Sequence, residues 1–514
     1  MPLKSFKLYG IRDIDYDAVV AKYRLCCEEG EKEIDVSSIN MYHCNPDDIK
    51  YIVKKAPRKP LMDDTRIKNK AIYLIHTIAY RQQTSRENDE DGAPIQYSVL
   101  QDVLGDDVYE LLKALMKLGY IKISSTYEIG KTAKRYKVLN DIVIEPSSNA
   151  TILRYIDKAR QILNANVTKR LESPSFKKEY GDNFAATYVK NLNKFKISDK
   201  SGFEEFVTAR VKENPNTEAY YDYIREGFES NLRIYSIDDN NRIYHILTSL
   251  KRELKKYLNI LFSIDCSNSH PLLFNYFIYI SKNISISDSY NISSILSTIP
   301  SSEFFVSQPN FHYDTEKLRN ALANNNIDKR KIAGFGDDEL LYLWKTINGC
   351  FWDDILAEHQ DEDLDRAEIK QKMFAEVFYS KTPKIAWKTF AQEFKKQYPN
   401  VYKLILKWKE PLKHEDTKKI LLRRHKAVED RGRAWMQDDS TALPNVMMDL
   451  ESVIFREILK SLFAKRICAV HIHDAIVVPA IKSTMKLDSE KIQGVMRDVY
   501  KRFGLHPTFK LETY

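Results

Sequence analysis

Apolar residues fall on helical spacing from Arg66 onward. In "RIKNKAIYLIHTIAYRQQ", Ile67, Ile72, Ile75 and Ile78 form one stripe. An acidic, polar "ENDEDGAP" interrupts it. "IQYSVLQDVLG" then predicts a short helix and "DVYELLKALMKLGY" a second, with Val108, Leu111, Leu112, Leu115 and Leu118 inward. "YIKISSTYEIGKTAKRYKVL" changes to strand-like alternation on both sides of a basic tip, "GKTAKR". Three helices and a hairpin in this order predict a winged-helix domain over 61–145. Residues 1–60 show no clear period. Residues 146–235 read as charged, exposed helices with a thumb-like role. The Ser-, Asn- and Ile-rich run 281–302 reads as a loop or an inserted finger element.

Two later stretches are apolar without alternation. "LNILFSIDCSNSHPLLF" runs strand-like from Ile260 to Ile264 and reaches Asp265. "RICAVHIHDAIVVPA" is rich in β-branched residues, yet it holds His471, His473 and Asp474. A carboxylate among such neighbours is costly unless something pairs with it. One such aspartate is commonly a strand-end cap or half of a buried pair. Two on adjacent strands at one level would cage a divalent cation. A third stretch, "RAEIKQKMFAEVFYSK", places Arg366, Lys370, Phe374 and Phe378 four apart, on one helical face. Two cations there suit a triphosphate and two rings suit a base, although a solvated cationic stripe beside core phenylalanines has the same pattern.

Bulk numbers narrow the class. The chain has 514 residues, 43% of them hydrophobic and 30% charged, enough for several domains. No apolar run approaches a membrane span and the first residues contain no signal-peptide core. The net charge of +8 fits a polyanionic partner. Six cysteines show no zinc spacing, which suits reduced thiols in a cytoplasm; His43 beside Cys44 is a weak ligand pair. The chain has neither GxxxxGK[ST] nor GxGxxG, which removes the usual support for P-loop and Rossmann folds.

The order Asp265, then Arg366/Lys370/Phe374/Phe378, then His473-Asp474 resembles motifs A, B and C of family A DNA polymerases. Single-subunit phage RNA polymerases share that palm. The likeness covers roughly 235–514 and is closest to compact polymerases of mobile elements and phages, where motif A reads like "D-x-S-N-S-x-P". "NNRIYHILTSLKRELKKYL" is similar to the segment before motif A. The resemblance implies a helix-rich α+β right hand, with an antiparallel palm and helical fingers in 236–514 behind the winged helix. It implies that Asp265 and Asp474 bind two magnesium ions, with manganese as an alternative. Arg366 and Lys370 would hold the triphosphate, with Lys370 a proton donor, and Phe374 and Phe378 would stack on the new base pair. Arg242 would contact the primer–template minor groove and His473 the primer end. Partners would be primed DNA, deoxynucleotides and other replication proteins, with no membrane.

This chain departs from the family at two places that bear on sugar choice. His270 stands where the DNA enzymes usually carry a glutamate gate, and Ala475 follows Asp474 where they carry Glu. Phe378 lacks the hydroxyl with which the RNA enzymes sense a 2′-hydroxyl. Phe378, with His270 as gate, favours deoxynucleotides. "DIDYD" near residue 13 lacks the partners of a proofreading nuclease. Lys131, Lys134 and Arg135 on the wing would meet duplex phosphates, or the wing would dock onto protein. Two rivals remain: a primase or RNA polymerase on the same palm, and a winged-helix replication initiator or regulator whose palm is inactive. An HD-type phosphohydrolase is a more distant alternative, because His473-Asp474 reads as strand rather than helix.

Overall fold

The computed structural model describes residues 6–29, 63–84, 92–124, 135–229, 234–238, 242–300, 305–307, 312–358, 364–380, 389–410, 413–414 and 442–514. The chain is a helix-rich α+β protein with small antiparallel sheets. Among these residues no helix is long and apolar enough to cross a membrane. It divides into two compact units, 1–170 with 204–235, and 171–203 with 236–514.

In the first unit, β1 (Phe6–Ile11) and α1 (Tyr16–Glu29) precede α2 (Asp64–Thr84), β2 (Ala93–Pro94), α3 (Tyr97–Leu104) and α4 (Val108–Lys117). Then come β3 (Ile121–Ile123), β4 (Arg135–Val138) and β5 (Ile142–Ser147). The three-stranded sheet runs β2-β4-β3, so β4 lies in the middle and pairs antiparallel with β3 on one side and with the short β2 on the other. Gly92 makes that edge possible. A Cβ there would lie 2.4 Å from the Tyr136 carbonyl oxygen, and its φ of +90° suits only glycine. The α2 stripe is buried at Ile67, Ile75 and Ile78, and α4 buries Val108, Leu111, Leu112 and Leu115. Ile72 and Leu118 pack only partly buried against the same core.

The segment 1–60, without visible period, supplies Tyr9, Ile11, Val19 and Tyr23 to this core, and β1 pairs antiparallel with β5. In "DIDYD", Asp15 caps α1 by accepting from the Asp17 and Ala18 N–H groups, and Asp17 pairs with Lys68. These are structural roles. Residues 146–235 do not form one region: the chain leaves the first unit after Arg170 and rejoins it at Glu204. Lys131, Lys134 and His43-Cys44 lie outside the described residues. Arg135 donates to the Gly92 carbonyl at 3.1 Å.

The second unit is built on a four-stranded antiparallel sheet. Its strands are β6 (Ile260–Cys266), β7 (Val470–Ile472), β8 (Ala475–Pro479) and β9 (Phe509–Thr513), in the order β7-β8-β6-β9. β6 and β8 lie in the middle, and β8 is buried at every position, which is why both read as unbroken apolar runs. His473-Asp474 is not strand. It is the two-residue turn joining β7 to β8, with His473 at φ 53°.

Asn268, also left-handed, turns the chain from β6 into the helix Ser269–Ser281, with Pro271 in its first turn. Residues 171–203 brace β7: the Tyr188 hydroxyl bonds His471 Nδ1 at 3.0 Å, and Asn191 donates to the Ala469 carbonyl. The run 281–302 contains a helix, Ile286–Leu296, rather than a loop. Ser285 caps it, and Ile292 and Leu296, four apart, are buried.

One ion pair in the first unit is fully enclosed. Lys70 and Asp107 are 3% and 4% exposed, and Asp107 also accepts from the Tyr23 hydroxyl. Removing one partner strands the other charge. Lys70→Ala should therefore cost about 3–5 kcal/mol in urea unfolding, and Lys70→Met with Asp107→Leu markedly less. Equal losses in the two variants would show that packing, not charge, sets the penalty.

Candidate active site

The register of the central strands brings the two aspartates together. Asp265 on β6 stands opposite Ala475 of β8 and Lys510 of β9. The Cys266 N–H donates to the Asp474 carbonyl at 3.0 Å, which pins the hairpin tip against the end of β6. The two carboxyl groups are within hydrogen-bonding reach. Burial, and after it the Asp474 charge, push the Asp265 carboxyl up to about 7, while Lys370 pulls it down and Glu512 adds to the rise. Lys255 senses both aspartates, although burial dominates and lowers it. Two carboxylates with so little cationic compensation suit a divalent cation. Among the described residues no group of three or more His, Cys, Asp or Glu side chains is placed to hold a metal ion.

The helix Arg366–Lys372 begins with Asp365 as its cap and Glu368 reaching back to it. Lys370 lies over the Trp352 ring at 5.7 Å, where its charge is felt by Asp265. Arg366 forms an exposed pair with Asp353 at 2.7 Å. Beyond Lys372 the helix changes to a π turn over Met373–Phe378, and the Tyr379 N–H bonds the Phe374 carbonyl at 2.8 Å. That change corrects the expected face. With five residues per hydrogen-bonded step, Tyr379 rather than Phe378 comes to lie on Phe374. Their rings stack at 5.1 Å with 19° between planes. Phe378 is wholly buried against Phe274 and Phe394 and is a core residue. The π turn is held at its end by Lys409, a buried lysine that donates to the Ser380 carbonyl at 2.8 Å and hydroxyl at 3.1 Å. Burial pushes this lysine down to about 7.

His270 is mostly buried, not an open gate. Its Nδ1 bonds the Tyr379 hydroxyl, its Nε2 stands 3.3 Å from Glu451, and its ring meets Phe374 edge-on. Burial, then Arg242 and Lys370, push the imidazole down to about 3, so it is neutral at ordinary pH. Arg242 is ion-paired with Glu451 rather than free. Arg242 and His473 line a cleft with Tyr244, Glu451, Arg456 and His471.

The structure thus gathers Asp265, Asp474, Lys370, Phe374 and His270 from the sequence reading, and adds Tyr379 and Glu451. Glu451 carried a signal, an acid inside the apolar run "NVMMDLESVIF". Tyr379 carried none, because a π turn has no local pattern of its own. No protein-family model matches this chain, and no curated protein does.

The raised Asp265 carboxyl has a sign that can be measured. Between about pH 4 and 7 the folded chain keeps a proton that the unfolded chain has released. In chelator, this group makes the fold lose stability as pH rises through that window. Asp265→Asn should become progressively more stable relative to wild type from pH 4 to 7 in thermal unfolding. A constant offset across the window would show that Asp265 is not the titrating group.

Proposed function

We propose that this chain is a template-directed nucleotidyltransferase, a DNA polymerase, with the β7-β8-β6-β9 sheet as its palm. The observation that carries the reading is the pairing of Asp265 and Asp474 by strand register, with Lys370 facing them. Phosphoryl transfer asks the protein mainly for position and charge, and this arrangement offers both.

Asp265 and Asp474 would hold two divalent cations, magnesium or manganese, which when bound supply charge to activate a primer 3′-hydroxyl and to steady the leaving pyrophosphate. Lys370 would pair with the triphosphate and carry a proton at Nζ for the departing phosphate. Phe374 and Tyr379 offer a stacked pair of rings to the base. His270 fills the sugar side behind Tyr379. Arg242 and His473, on the cleft, would meet the duplex end. The helix–strand–helix–helix–strand–strand order of the first unit supports a winged helix, whose use would be DNA contact.

One observation favours a second reading, RNA synthesis at the same site. Tyr379 restores, beside Phe374, the hydroxyl that Phe378 lacks. Primer extension with separate deoxynucleotide and ribonucleotide pools decides between the two. Asp265→Ala and Asp474→Ala should each lower incorporation by at least a thousandfold while leaving DNA binding nearly intact. Near-normal incorporation in both variants would end the polymerase reading.

A further inference from the structure

Beside the carboxylate pair runs one continuous chain of polar contacts. Arg242 pairs with Glu451 Oε2, the Ser269 hydroxyl donates to Oε1 at 3.1 Å, and His270 Nε2 stands 3.3 Å from the same oxygen. His270 Nδ1 then bonds the Tyr379 hydroxyl. Glu451 is 6% exposed, and the chain draws on three separate elements besides Arg242.

The direction of each bond follows from chemistry. An ionised carboxylate only accepts, so His270 must donate from Nε2. A neutral imidazole has one ring proton, so Nδ1 is left as an acceptor. The Tyr379 hydroxyl must therefore give its single proton to Nδ1. Its oxygen keeps only lone pairs for anything else that approaches. The charge of Glu451 is already matched by Arg242, so a protonated imidazole would be a surplus buried cation.

We propose that Glu451 is a positioning residue that fixes the direction of this chain and so makes Tyr379 present an acceptor, not a donor, to the sugar of an incoming nucleotide. The sugar assignment rests on the nucleotidyltransferase reading. The direction of the chain does not.

Glu451→Gln tests it with almost no change of shape. Arg242 can only donate, so it takes the amide oxygen and leaves the amide nitrogen facing Ser269 and His270. The chain then runs backwards. The amide donates to Nε2, Nδ1–H donates to the Tyr379 oxygen, and the Tyr379 proton is released to donate elsewhere. Nitrogen spectra of histidine-labelled protein, with the His270 signals assigned by His270→Gln, should show the proton on Nε2 in wild type and on Nδ1 in Glu451→Gln. The same nitrogen protonated in both would overturn the proposal whatever the activity.

The second measurement is single-nucleotide incorporation with 2′-deoxy, ribo and 2′-fluoro triphosphates. Fluorine accepts but cannot donate, so the ribo-to-fluoro ratio of kcat/KM should fall several-fold in Glu451→Gln. Tyr379→Phe should erase that difference. Unchanged ratios alongside a moved proton would overturn the sugar assignment. Wild-type protein that incorporates none of the three would overturn the nucleotidyltransferase reading and the sugar assignment with it, and the nitrogen spectra would still decide the direction of the chain.

Discussion

Antiparallel register is the constraint on which the rest of this molecule depends. Once β8 lies beside β6 with Ala475 opposite Asp265, the hairpin turn must deliver Asp474 to the end of the same strand. A slip of one residue would turn every side chain of β8 to the other face. It would also part the two carboxylates. The apolar residues of both strands hold that register, because β6 and β8 are central and largely enclosed. Burial is therefore what brings two like charges together, and the raised Asp265 carboxyl is the mark of that cost.

Around this pair the protein places groups that are neutral or only partly compensating. Lys370 reaches toward Asp265 from a helix that ends in a π turn, and the turn is anchored by Lys409 at Ser380. π turns are rare and usually mark functional positions. Here the added residue does two things. It sends Phe378 into the aromatic core and lays Tyr379 on Phe374. His270 is then held between Tyr379 and Glu451 as a neutral ring.

The sequence disclosed what periodicity and charge in an apolar context can disclose. Ile67, Ile75 and Leu111 announced their helices. Asp265 and Asp474 stood out because charge sat beside β-branched residues; Asp265 lies on β6, while Asp474 lies in the turn that leads into the neighbouring β8. The His473-Asp474 turn was hidden, since its sequence continues the strand composition on both sides. The core of the first unit reached further than its clear periodic stretch, because the inward face of α1 mixes Val19 and Val20 with Tyr23, Cys26 and Cys27 while Leu25 lies exposed, which blurs the aliphatic stripe. The placement of Phe378 failed for a different reason. A spacing of four was read as one face, and that holds only while the helix stays α.

The central sheet also sets a timetable for folding. β6 ends at Cys266 and its neighbour β8 begins at Ala475, so about two hundred residues must be made before the pair can zip. Closing so long a loop costs little more free energy than closing a short one, but pairing this remote is slow. Until then β6 is an apolar segment with neither flanking strand in place, β9 being later still. The nascent chain would have to shield it, and the helix Ser269–Ser281 that directly follows is the nearest element able to do so. Synthesis of this protein thus includes a long interval in which the strand bearing Asp265 is open to aggregation, and its yield in a cell would depend on chaperone supply more than its final stability suggests.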